Sequence, residues 1–156
     1  MKSIKLLIGL SFMLGLYSCK QDFKRLGDSE TDLKKIQIAK EFSEKFYTEL
    51  KNGSYYQFHD EATNKIKSFL TEEKQKSTYK YLKSRFGDFQ SLEYAETWIK
   101  IDKPNVHIIR FKSDFDRMNK KIEIRVILSE SDKIMGFWIK PWSDMLQLES
   151  ILDLLK

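Results

Sequence analysis

Apolar positions change their period along the chain. Leu6 to Leu16 is a run without charge. From Ile36 onward the spacing becomes three and four: Ile36, Ala39, Phe42, Phe46 and Leu50 share one helical face. Ser29-Glu30-Thr31-Asp32 has the hydroxyl-then-acid spacing of a helix N-cap, and Asn52-Gly53 closes the pattern with a residue that enters left-handed conformations cheaply. A helix is predicted over 30–51. Ser54 is expected to cap a short second helical turn through Tyr55, Tyr56 and Phe58. Ala62, Ile66, Phe69 and Leu70 suggest another helical piece. Thr71-Glu72-Glu73 opens a further helix, with acids near its positive end and with Tyr79, Leu82 and Phe86 as its stripe, and Gly87 stops it.

After Gly87 the period becomes two. Strands are predicted over 92–101, 106–115, 122–128 and 134–140, separated by turns at Asp102-Lys103-Pro104-Asn105, near Asn119, and at 129–132. In the second strand Ile109, Phe111 and Phe115 lie on one face and Arg110, Lys112 and Asp114 on the other. In the third, Ile122, Ile124, Val126 and Leu128 alternate with Glu123 and Arg125. In the fourth, Met135, Phe137 and Ile139 share a side. Pro141 ends that strand. Met145, Leu148, Leu152 and Leu155 predict a short C-terminal helix over 143–156. Helices followed by an antiparallel meander predict an α+β domain with one sheet face covered by helices. The other face, carrying Arg110, Lys112, Glu123 and Arg125, is expected to be solvated and to pair charges across strands.

The first segment is read as an address rather than as structure. Lys2 and Lys5 precede Leu6–Leu16, which is shorter than the roughly twenty residues that a spanning helix needs. The run breaks at Leu16-Tyr17-Ser18-Cys19, and Cys19 is the only cysteine. This resembles the lipobox of bacterial lipoproteins, although Tyr17 is bulkier than the usual residue there. The resemblance implies thiol acylation of Cys19, removal of 1–18 as a signal peptide, and a membrane held through the lipid; two or three acyl chains anchor firmly where one does not. Residues 19–28 are expected to be a tether, the nine after Cys19 reaching about 30 Å at most. Lys20 stands where an aspartate commonly retains such proteins in an inner membrane, so the expected location is the bacterial cell envelope, at the outer membrane.

Charge narrows the partners. The formal +5 loses Lys2 and Lys5 with the signal and no acid, leaving +3. So weak a field, without a concentrated basic face, argues against nucleic acid. A single cysteine excludes a disulfide framework, and with two histidines it makes a poor ligand set for a transition metal, so no cofactor is expected.

Three local patterns carry a second resemblance: Ala39–Asp60, a first helix turning into an aromatic segment; Tyr81–Leu92, a helix running through glycine into a strand; and Lys121–Trp142, a hairpin closing on aromatics and proline. In this order they resemble the NTF2-like (cystatin-like) superfamily, in particular its small bacterial domains of unknown function, over about 30–142. The resemblance implies a bent sheet curling round the helices into a cone, with 29–142 as the domain. Such cones often hold an apolar pocket. Some members are isomerases or dehydratases, while others only bind.

Candidate residues follow. His107 is in phase with Ile109 and Phe111 and points toward the helices, as a core residue or as a general acid or base. His59-Asp60-Glu61 lies near the expected pocket mouth, or is an exposed boundary. Tyr55, Tyr56, Trp98, Trp138 and Trp142 are core aromatics or a ligand lining. Trp138, out of phase with Phe137 and Ile139, is expected on the polar face as a partner contact. Tyr56, His59, His107 and Trp138 are therefore the candidate ligand-binding residues, with Cys19 the lipid attachment. No carboxylate is expected inside the sheet; Asp114 and Glu123 are read as solvated. The resulting expectation is a non-catalytic lipoprotein domain that binds a small apolar ligand or an envelope protein. The alternatives are a pocket isomerase or dehydratase and an inhibitor or immunity-like module.

Overall fold

The computed structural model describes residues 23–146. Cys19 and the predicted signal peptide lie outside them. The architecture is α+β: a curved five-stranded antiparallel sheet carries three α-helices on one face.

Strand β1 (Phe23–Arg25) and a 3-10 turn at Asp28–Glu30 come first. The tether expected over 19–28 is corrected accordingly. Phe23 pairs with Lys100 and is 1% exposed, so residues 23–28 belong to the folded body rather than to a tether. Three residues are too few for a period-two pattern to show.

Helix α1 (Leu33–Lys51) starts later than predicted. Its cap is Asp32, whose carboxylate accepts from the Lys34 and Lys35 amides at 2.9 and 3.3 Å. Asn52 and Gly53 end it as expected, with Gly53 at φ +81°. The short helix expected after Ser54 does not form. Residues 54–59 run irregularly, and a side chain satisfies the backbone of Tyr56 at their centre. Gln75, 1% exposed, accepts from the Tyr56 amide and donates to the Tyr56 and Leu70 carbonyls, each at 2.9 Å. Helix α2 (Asn64–Phe69) and helix α3 (Glu72–Phe86) follow, the latter capped by Thr71 and stopped at Gly87.

Strands β2 (Phe89–Lys100), β3 (Lys103–Phe115), β4 (Ile122–Leu128) and β5 (Ile134–Pro141) complete the sheet in the order β1-β2-β3-β4-β5. β2 and β3 are longer than predicted, and the turn between them shrinks to Ile101-Asp102. Register shifts along β2 and between Ile127 and Leu128 interrupt the ladders, as bulges that bend strands do. The last shift leaves Ile127 paired with Gly136 and Leu128 with Ile134, so Met135 turns away from Phe137 and Ile139. Its expected place beside them is corrected.

The inner face forms the main core. Phe42 and Phe46 of α1 meet Phe137 at 5.3 and 4.8 Å between ring centroids, and Tyr47 stacks on Phe89 at 5.4 Å. The outer face departs most from expectation, because it is buried too. Every residue of β4 is buried. Phe23, Ile108 and Ile127 form a second apolar cluster, joined by Trp98, Val106, Met135, Trp138 and Leu146. Arg110 and Glu123 are fully buried and Arg125 is 1% exposed, so the solvated reading of Glu123 is overturned, whereas Asp114 stays exposed. The chain after β5 folds back over this face. Trp142 lies over the Arg110 guanidinium at 4.4 Å, the Ser143 carbonyl accepts from Arg110 at 2.6 Å, and Leu146 joins the apolar cluster. Ser143–Leu146 is not helical, and the rest of the predicted C-terminal helix lies outside the described residues.

Candidate functional site

Two cavities open between the helices and the sheet edge. The larger, about 590 Å³, is built by all three helices and β5. Phe46 and Tyr47 reach it from α1, Ile66, Phe69 and Leu70 from α2, Tyr81 and Leu82 from α3, and Phe137 and Ile139 from β5. Apolar residues of all three helices supply much of this lining. Phe69 and Tyr81 are 64% and 56% exposed beside it. The volume and apolar character are those of small-molecule sites, which run from about 300 to 1,000 Å³.

The smaller cavity, about 380 Å³, is lined by Ile38, Phe42, Lys45, Tyr56, His59 and Glu61, among others. Two of the predicted residues, Tyr56 and His59, thus come together. Glu61, outside the predicted set, is what joins them. Its carboxylate accepts from the His59 amide at 3.1 and 3.0 Å and bonds the Tyr56 hydroxyl. Burial, and then the Glu61 charge, push the Tyr56 hydroxyl well above the usual phenol range, so it stays protonated. The cluster is a satisfied turn: the carboxylate is engaged by its own loop.

Trp138 borders the larger cavity, while its ring packs with the outer cluster opposite Arg125. Trp98 packs there as well, and Trp142 covers Arg110; neither is among the lining residues of these two cavities. His107 lines neither cavity. It is half-buried on β3 near the start of α1, where Lys35 and Asp132 sit. Lys35, 7% exposed, donates to the Ser129 and Glu130 carbonyls and to Asp132, and Lys34 bonds Asp132 at 2.5 Å. This fastens α1 to the β4–β5 turn, where Asp132 adopts φ +61°. The His107 Nδ1 is buried without a hydrogen-bond partner. Burial, and then the Lys35 charge, hold its pKa below the ordinary 6.5, against the opposing charges of Asp32 and Asp132.

That depression has a sign. The unfolded chain takes the proton more readily, so stability is full above about pH 6.5 and falls as the pH drops toward the folded value. The melting temperature should decline as the pH falls below about 6.5. His107→Gln should flatten that leg while keeping the fall below about pH 4 that comes from Asp132, whose carboxyl is held low by hydrogen bonds from Lys34 and Lys35. An unchanged leg in the variant would remove His107 as its source.

Tyr47 is one of the lining residues that sequence reasoning passed over, with Lys65, Lys74 and Thr78. It stands beside Phe46, one step off the stripe, yet it is 1% exposed and lines the larger cavity. Among the described residues no group of three His, Cys, Asp or Glu could hold a metal ion, and no helix is long and apolar enough to cross a membrane. No protein family, curated protein or solved structure matches the chain.

Proposed function

We propose that this chain is an envelope lipoprotein, acylated at Cys19, whose domain binds a small apolar ligand without transforming it. The observation that carries the reading is the apolar cavity of about 590 Å³ between α1, α2, α3 and β5. Helices leading into a bent antiparallel meander agree with an NTF2-like cone, and the cavity lies where such a cone would hold its ligand. A binding role is preferred over an isomerase or dehydratase because, among the described residues, the larger cavity's lining contains no carboxylate or histidine. The Tyr56–Glu61–His59 cluster in the smaller cavity holds its own turn.

Anchoring follows from the lipobox resemblance. With Phe23 already in β1, at most residues 20–22 separate Cys19 from the folded body. Fully extended they reach about 11 Å, so the domain would ride at the bilayer surface, with Lys20 and Lys24 able to meet anionic head groups. Cys19→Ala should abolish incorporation of labelled fatty acid and release the protein from the membrane fraction. Continued labelling would sink the anchoring half of the proposal.

The binding half is tested with N-phenylnaphthylamine, an apolar probe that brightens when it leaves water. One saturable site is expected. Thr78→Trp, which places an indole into the cavity from α3, should remove it while the circular dichroism spectrum is retained. Undiminished binding by that variant would place the probe elsewhere.

A further inference from the structure

The β2–β3 hairpin reaches past its neighbour in the sheet. β3 begins at Lys103, yet its pairing with β4 begins only at His107, opposite Leu128. The turn at Ile101-Asp102 therefore projects beyond the end of β4. Ile101 stands at the tip and is 56% exposed. Packing within the domain gives no reason for an isoleucine there, since Ile101 belongs to neither apolar cluster. Asp102, the acid of the turn, pairs with Lys100 at 2.8 Å. Lys103 is exposed and, among the described residues, pairs with no carboxylate.

The polypeptide enters the sheet at this same end. Phe23 pairs with Lys100, which immediately precedes Ile101, and β1 runs antiparallel to β2. At most three residues, about 11 Å when extended, lie between Phe23 and Cys19. Paired strands are about 5 Å apart, and the interfacial layer on each side of a bilayer is about 5–8 Å deep. A leaflet holding acyl chains on Cys19 is thus within reach of the turn. The β3–β4 turn, at the other end of the same strands, lies about 40 Å away along β3. An apolar tip with a cation beside it suits an interface that carries anionic phospholipids. We propose that the β2–β3 turn is the membrane-facing end of the domain. Ile101 enters the interface of the leaflet that holds the Cys19 acyl chains, and Lys103 meets head-group phosphates. This rests on the acylation reading and adds which end of the fold meets the bilayer.

The test uses the lipidated protein as isolated from membranes, reconstituted into vesicles of phosphatidylcholine and phosphatidylglycerol in equal parts. Acylation blocks the Cys19 thiol, so Ile101→Cys offers a single thiol for a nitrobenzoxadiazole dye. Lys120→Cys, exposed in the β3–β4 turn, is the control. The dye at 101 should brighten several-fold, shift to the blue and be quenched by a nitroxide carried near the phospholipid head group. The dye at 120 should do none of these. Lys103→Gln, added to Ile101→Cys, should lower the quenching to the level found in phosphatidylcholine alone. Equal quenching at the two sites, or quenching at 120 alone, in protein that still floats with the vesicles would overturn the orientation and leave the anchor standing. Brightening at 101 without quenching would place the turn against protein and would overturn it too. Protein that carries no acyl chain and does not float would overturn both readings. Quenching that Lys103→Gln leaves unchanged would remove the head-group contact.

Discussion

Glu123→Gln is expected to destabilise the fold by about 3–5 kcal/mol, the cost of leaving a buried charge without its partner. Glu123 lies between two buried guanidinium groups. Arg110 donates to it through Nε at 3.0 Å and Nη2 at 2.7 Å, and Arg125 through Nε at 2.6 Å. Arg110 also pairs with Glu96, which Arg25 of β1 reaches at 3.0 Å. The network thus ties four strands together under Trp142 and Ser143. Burial pushes the Glu123 carboxyl upward, but the Arg110 hydrogen bond and the Arg125 charge outweigh it and hold the pKa below the ordinary 4.5. The carboxylate therefore contributes stability above that pH, and the contribution is lost as the pH falls through the folded value. Glutamine keeps the shape and removes the charge, so two arginines face each other with one carboxylate, Glu96, left at the site. Thermal unfolding should shift downward by about 10 °C or more. Replacing the three together, Arg110→Met/Glu123→Leu/Arg125→Met, should recover much of the loss, because apolar side chains of similar volume need no partner. A Glu123→Gln variant within about 0.5 kcal/mol of the parent would mean that water reaches these charges.

Gly87→Ala is expected to be nearly as damaging, by about 3 kcal/mol, through the backbone rather than through charge. Gly87 has φ +88° and ψ −159°, a combination open essentially to glycine. A Cβ there would stand 1.7 Å from the Asp116 Oδ1 and 2.9 Å from the Arg117 amide nitrogen. The side chain could swing away, but the amide is backbone and is fixed by its bond to the Phe86 carbonyl at 3.2 Å. Asp116 itself accepts from the Asp88 amide at 2.9 Å, so moving it breaks the lock between the α3–β2 corner and the end of β3. Gly53→Ala is the control. Gly53 also has positive φ, at +81°, but its Cβ would meet open space, so only about 1 kcal/mol is expected. Urea unfolding of the two variants should separate them by about 2 kcal/mol; equal values would show that the corner relaxes around an added methyl group.

Gly87 was legible in the chain because a helical stripe ended and a period of two began at the same residue. The inner sheet face was legible for the same reason: Ile109, Phe111, Ile124 and Val126 alternate cleanly and are all buried. The outer face was not. Alternating Arg110, Glu123 and Arg125 read as solvated charge, but the return of residues 142–146 over Arg110 and the apolar cluster of Phe23, Trp98, Met135 and Trp138 bury this face. No local period encodes that long-range contact. Met135 was misplaced because a single bulge reverses facing, and Phe23 because its strand is three residues long. The site was legible only in part. Tyr56 and His59 were recognised as neighbours of a cavity, but the larger cavity is assembled from positions on four elements, and Tyr47 lies just off the stripe that marks Phe46.

The ligand site is tested most directly by amide and methyl correlation spectra recorded while the chain is titrated with N-phenylnaphthylamine. One-to-one saturation is predicted, with the largest shifts at Phe46, Ile66, Leu82 and Ile139 and little change at Ile38 or His59. Shifts centred on Ile38, Tyr56 and His59, or no saturable change, would contradict it.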